Sequence, residues 1–184
     1  MFINEILFTL KDGRQAMLRS PREEDVQGLL EYLWKSTEET EFVLRSPEEN
    51  ARYTFEKELA FVKEMDASPD VAMLVCIVDG RVAGNCEIRF NRRIKTRHRA
   101  SVGIALLKEF WNQGIGTRMF EEMLKFAHER EGLLQVELEF IEGNVRARHL
   151  YEKMGFRITG MRPDAIRLKD GTLRNEYQMM LKLR

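Results

Sequence analysis

SVGIALLKEFWNQGIGTRMFEEMLKFAHEREGLLQVELEFIEGNVRARHLYEKMGF, residues 101–156, reads as strand, glycine turn, helix, strand and second helix. Ser101 to Leu106 is the first strand. Gly114-Ile115-Gly116 opens Thr117 to Glu129, in which Met119, Phe120, Met123, Leu124 and Ala127 recur at helical spacing. Leu134 to Ile141 alternates, placing Glu137 and Glu139 on one face and Val136, Leu138 and Phe140 on the other. Asn144 stands where a helix begins, and Tyr151 follows on the same face, about 10 Å further along the axis.

A glycine turn that opens a helix suits an anion. Its first N–H groups have no intrahelical partner, the helix dipole is positive there, and glycine lets the backbone approach closely. Taken alone, the same turn is an ordinary strand-to-helix connection. Two nucleotide loops are excluded: no Lys-Ser/Thr pair follows Gly116, and the third glycine of the dinucleotide fingerprint is missing.

The two motifs together resemble the GCN5-related N-acetyltransferases. Members carry a Gln/Arg-x-x-Gly-x-Gly/Ala loop, a strand, and then an Asn-x-x-Ala-x-x-Leu-Tyr-x-x-x-Gly-Phe segment. Trp111-Asn112-Gln113-Gly114-Ile115-Gly116 and Asn144 to Phe156 match in the same order, and Trp111 departs where Gln or Arg is usual. The resemblance implies an α/β fold: a mixed, mostly antiparallel central sheet with helices on both faces, and a cleft between the strands at 101–106 and 134–141. It implies acetyl-CoA as acetyl donor, with its pyrophosphate on the backbone of Asn112, Gln113, Gly114, Ile115, Gly116 and Thr117. It also implies an oxyanion donor among Ile104, Ala105 and Leu106, Asn144 on the pantetheine arm, and Tyr151 as the acid for the leaving thiolate. The bland readings are a core tyrosine and a helix-capping asparagine.

Acetyl transfer to an amine needs the amine neutral. At pH 7 an amine of pKa ~10.4 is neutral in roughly one molecule in 2,500, a handicap of about 4.6 kcal/mol, so a nearby base helps. The strand at 99–104 lacks the glutamate of histone-type members. Glu139 matches the base of some members that act on protein N-termini; Glu87 and Glu137 are the alternatives, and an ordinary polar strand face is the bland reading. The expected function is transfer of acetyl to a primary amine by direct attack on the thioester, the acceptor being a small-molecule amine or peptide N-terminus. A non-catalytic acetyl-CoA-binding sensor or interaction domain is the alternative.

The 184 residues suit a single domain spanning 1–184. Thirty basic and thirty acidic residues leave no net charge, which argues against nucleic-acid or membrane-surface binding. No run is apolar enough to span a membrane and the N-terminus does not read as a signal peptide, so a cytoplasmic location is expected. Cys76 and Cys86 sit in apolar runs as small buried hydrophobes, and scattered histidines imply no metal. A second copy of the chain is a candidate partner.

Ile6 to Leu10 with Gln15 to Arg19, Ala72 to Val78 with Arg81 to Phe90, and Arg157 to Leu168 with Thr172 to Leu183 flank Asp-Gly turns and predict three hairpins. Ser20-Pro21-Arg22-Glu23 and Ser46-Pro47-Glu48-Glu49 read as capping boxes, each opening a helix. The acidic segment Ser36 to Arg45 joins these helices; Glu38, Glu39 and Glu41 are either solvated or draw a cationic amine toward the cleft. The basic run Arg92 to Arg99 is a solvated loop or an attractor for cofactor phosphates.

Overall fold

The computed structural model describes residues 2–183. In chain order the elements are β1 (Ile6–Thr9), β2 (Gln15–Arg19), α1 (Val26–Glu39), α2 (Phe55–Ala67), β3 (Val71–Val78), β4 (Arg81–Phe90) and β5 (Arg99–Leu106). They continue with α3 (Ile115–Glu129), β6 (Gln135–Ile141), α4 (Val145–Lys153), β7 (Arg157–Arg167) and β8 (Leu173–Lys182). The strands form one sheet in the order β1-β2-β3-β4-β5-β6-β8-β7. Every neighbouring pair is antiparallel except β5 and β6, which α3 connects. This is the expected mixed, mostly antiparallel sheet.

Side-chain burial explains the layers. β3 is buried along almost its whole length, so both faces of the sheet are covered. α1 contributes Val26, Leu29 and Leu30 to the core, and α3 contributes Ile115, Met119, Phe120, Met123 and Ala127. Phe120 is fully buried, and truncating such a side chain costs about 3–5 kcal/mol. On β6, Val136, Leu138 and Phe140 are buried while Glu137 and Glu139 are not, as the alternation requires.

The first predicted capping box is not formed. Ser20 Oγ instead accepts from the N–H of Ile3 (2.9 Å), tying down the N-terminal segment. Asp25 takes over the helix entry: its carboxylate accepts from Arg22 N–H (2.7 Å) and bridges Arg19 (2.5 and 2.8 Å). A carboxylate already anchored by a guanidinium outcompetes a hydroxyl for the free N–H groups. At the second box, Glu49 does accept from Ser46 N–H (3.0 Å), but the box closes a short 3-10 turn, Pro47–Arg52. Thr54 caps α2 instead, accepting from Lys57 N–H. α1 also runs on to Glu39, so Ser36 to Glu39 is helix rather than connection.

Candidate active site

β5 and β6 pair only where Arg99–Ser101 faces Gln135–Glu137. Beyond that point they separate, while β5 stays paired to β4 as far as Leu106. The β6-facing edge of β5 is therefore bare from Val102 onward, and a cleft opens beside it. Gly103, Ile104, Ala105 and Leu106 wall one side and Glu139 and Phe140 the other. Asn144, Ala147, Leu150 and Tyr151 of α4 line its depth. Sequence reasoning had these strands flanking the cleft; their short pairing supplies the reason it exists.

Tyr151 is 6 % exposed and packs against Phe120, Phe140 and Phe156, with ring centroids 5.5, 6.0 and 6.3 Å away. Three aromatic neighbours fix the ring and turn its hydroxyl to the cleft, where it makes no hydrogen bond among the described residues. Burial, with a smaller contribution from nearby Cys86, pushes its pKa well above the usual phenol value. The hydroxyl thus stays protonated at neutral pH. Asn144 Oδ1 accepts from Ala147 N–H (3.2 Å), so the asparagine does cap α4, and it lines the cleft as well.

The glycine loop is built by two left-handed residues, Asn112 (φ +62°) and Gly114 (φ +90°). Gly116 has no such backbone demand and is small for another reason: a Cβ there would stand 3.0 Å from Leu150 Cδ2. α3 begins at Ile115, earlier than the periodicity indicated, and its first bond runs from Arg118 N–H to Gly114 C=O (3.1 Å). The N–H groups from Asn112 to Thr117 are left without intrahelical partners. Lys11, Arg146, His149 and Lys153 rim the groove outside them, a set of donors that fits a polyphosphate. Trp111 donates from Nε1 to Leu106 C=O (2.8 Å), and the Arg146 guanidinium lies 3.7 Å over its ring. Where the motif usually carries Gln or Arg, the indole holds a guanidinium supplied by α4.

All three carboxylates considered as bases are engaged. Glu139 accepts from Arg162 (2.7 Å) and Gln178 (3.2 Å). Glu137 is bridged by Arg99; burial pushes its pKa up, but Arg99 and Gln135 outweigh this and hold it below the usual carboxylate value. Glu87 is bridged by Arg89 (2.8 and 3.0 Å). Of the three, only Glu139 lines the cleft beside Tyr151. Arg162 was not legible as its partner, because that contact depends on the pairing of β6, β8 and β7.

The sequence model of the acetyltransferase (GNAT) family matches residues 28–156. The chain belongs to this family. The solved structure of a GNAT-family acetyltransferase from Streptococcus pneumoniae superposes with a TM-score of 0.84 at 26 % identity, covering 91 % of this chain and 99 % of that one. Ribosomal-protein-alanine N-acetyltransferase from Brucella melitensis gives 0.75 at 20 % identity, covering 90 % and 99 %. YncA from Salmonella typhimurium, solved with acetyl-CoA, gives 0.77 at 17 % identity, covering 92 % and 94 %. Acetyl-CoA is the acyl donor of the GNAT family, and the loop, cleft and cationic rim of this chain fit it.

In the GNAT fold, members of both charged segments are paired within the protein. The basic run precedes β5, whereas the glycine loop follows it; eight residues of strand separate the two by roughly 26 Å. Arg92 pairs with Asp70 (2.6 Å) and Arg99 with Glu137, so this run does not adjoin the loop amides. Glu39 accepts from Lys108 N–H (2.7 Å) and approaches Lys35 (3.6 Å). Glu38 and Glu41 share their groove with Lys108, Arg146, Arg167 and Lys169, so its wall is of mixed charge. Among the described residues, no helix is long and apolar enough to cross a membrane.

Proposed function

We propose that this protein is an acetyl-CoA-dependent N-acetyltransferase that passes acetyl to a primary amine, of a small molecule or a peptide N-terminus, by direct attack on the thioester. The observation that carries the reading is Tyr151: a buried, high-pKa hydroxyl with no protein partner, turned into the cleft between the parted strands. In the reaction the amine nitrogen forms a bond to the carbonyl carbon, the C–S bond breaks, and the thiolate takes the hydroxyl proton of Tyr151. The bare edge of β5 at Ile104, Ala105 and Leu106 offers backbone N–H to the developing oxyanion. Glu139 accepts the proton that the amine loses. Arg162, 2.7 Å away, holds the Glu139 carboxylate in place.

Tyr151→Phe tests this. Loss of a positioned general acid lowers acetylation about 10²–10⁴-fold, with acetyl-CoA affinity and melting temperature kept. An unchanged rate in the folded variant would remove Tyr151 from the mechanism. The pairing of all three carboxylates favours a second reading, an acetyl-CoA-binding domain without transfer. Tight acetyl-CoA binding with no thiol release for any amine would establish that one.

A further inference from the structure

A second pocket, of about 460 Å³, opens on the α1–α2 side of the sheet and shares Ser36, Val43 and Ala105 with the cleft beside Tyr151. Its size is that of a small-molecule site. Leu29, Leu33, Tyr53, Phe61 and Met73 make its walls largely apolar. Nearly every charged side chain on its surface is already paired. Arg89 bridges Glu87 (2.8 Å), Arg52 reaches Glu49 (3.4 Å) and Lys57 donates to the carbonyl of Arg52 (3.0 Å). Arg45 donates to Leu33 C=O (3.0 Å) and stacks on the Tyr53 ring (4.8 Å).

Glu58 is the exception. It projects from α2 into this pocket, is 5 % exposed, and its carboxylate makes no hydrogen bond or ion pair among the described residues. Arg45 is the charge that acts on it, from beyond ion-pair distance. The residue is buried as a whole, but its carboxylate oxygens open on the pocket and find no protein donor there. A ligand that brings a cation supplies the partner the protein does not.

We propose that this pocket seats the acceptor and that Glu58 binds a second, protonated nitrogen of it, so that the substrate class is diamines. The inference rests on the acetyltransferase reading above. One nitrogen, neutral, reaches past Ala105 to the thioester, forms the new C–N bond and releases the thiol. The other stays protonated against Glu58 and is never acetylated in that turnover. The apolar walls accommodate the methylene chain between them. Specificity here is a charge placed at one end of a hydrophobic slot, which rejects monoamines by leaving Glu58 unpaired.

Calorimetric titration of the CoA-bound protein with straight-chain α,ω-diamines, and with n-alkylamines of equal length, tests the proposal without requiring turnover. Wild type is expected to bind the best diamine at least tenfold more tightly than the matched monoamine. In Glu58→Gln that ratio is expected to fall below about twofold while CoA affinity holds, the factor of ten corresponding to about 1.4 kcal/mol. Equal affinity for both amine series in wild type, tighter binding of an anionic amine, or a ratio that survives Glu58→Gln would each overturn it. Thiol release is followed in parallel. Release with monoamines and diamines alike sinks the diamine proposal but keeps the transferase, whereas diamine selectivity in binding with no release for any amine sinks the transferase reading instead.

Discussion

Substituting Gly116 separates the fold from the cofactor site. A Cβ at this position stands 3.0 Å from Leu150 Cδ2 and 3.7 Å from the Cδ1 atoms of Ile104 and Leu106, all of which line the cleft. In Gly116→Ala, Leu150 needs to yield by only a few tenths of an ångström, and removing a helical glycine returns roughly 0.5–1 kcal/mol. Gly116→Val adds two further methyl groups against the same three neighbours, an overpacking worth about 1–3 kcal/mol. Valine recovers less of the glycine penalty than alanine does, so the net destabilisation is on the order of 1–3 kcal/mol, small beside the usual margin of about 5–15 kcal/mol, and the variant folds. If the pyrophosphate rests on the N–H groups of this turn, the valine stands beside it. Acetyl-CoA affinity should fall at least tenfold, about 1.4 kcal/mol, with a smaller loss in the alanine variant. Calorimetric titration, paired with a thermal melt by circular dichroism, reads both quantities. A folded valine variant with wild-type affinity would show that the cofactor does not approach this turn.

Two further outcomes follow from the carboxylates. Glu139→Gln should lower the acetylation rate and steepen its rise with pH, since only the free neutral amine is then left to react; a wild-type pH–rate profile would exclude Glu139 as the base. Glu58 should show itself in stability as well. Burial raises its folded pKa above the ordinary 4.5, with Arg45 opposing, so its protonated form is favoured by folding. That advantage is complete below pH 4.5 and is lost as pH rises through the folded value. With Arg45, Arg52, Lys57, Glu87 and Arg89 around the same pocket left unchanged, Glu58→Gln should melt no lower than wild type at pH 7, and its relative advantage should shrink toward pH 4. A lower melting temperature for Glu58→Gln at pH 7 would mean that a partner stabilises the carboxylate in the free protein.

The sequence alone determined those features that depend on a few neighbouring residues. The hairpin turns, the helical stripe of α3, the alternation of β6 and the cap of α4 at Asn144 follow from local backbone preference and from apolar spacing. The motifs around Gly114 and Tyr151 carried the family, and with it the topology and the acyl donor. Local signals misassigned Ser20, because Asp25 gained its hold on Arg22 N–H from a buried bridge to Arg19 on β2. Only the tertiary structure decided what each charge meets. Glu139 and Arg162 are brought together by the register across β6, β8 and β7, and Arg146 reaches Trp111 from another element. Glu58 looks in sequence like any solvated helical glutamate. Its burial without a donor arises because α1, α2 and the sheet close around it, and no short-range preference encodes which polar group such a closure leaves unpaired.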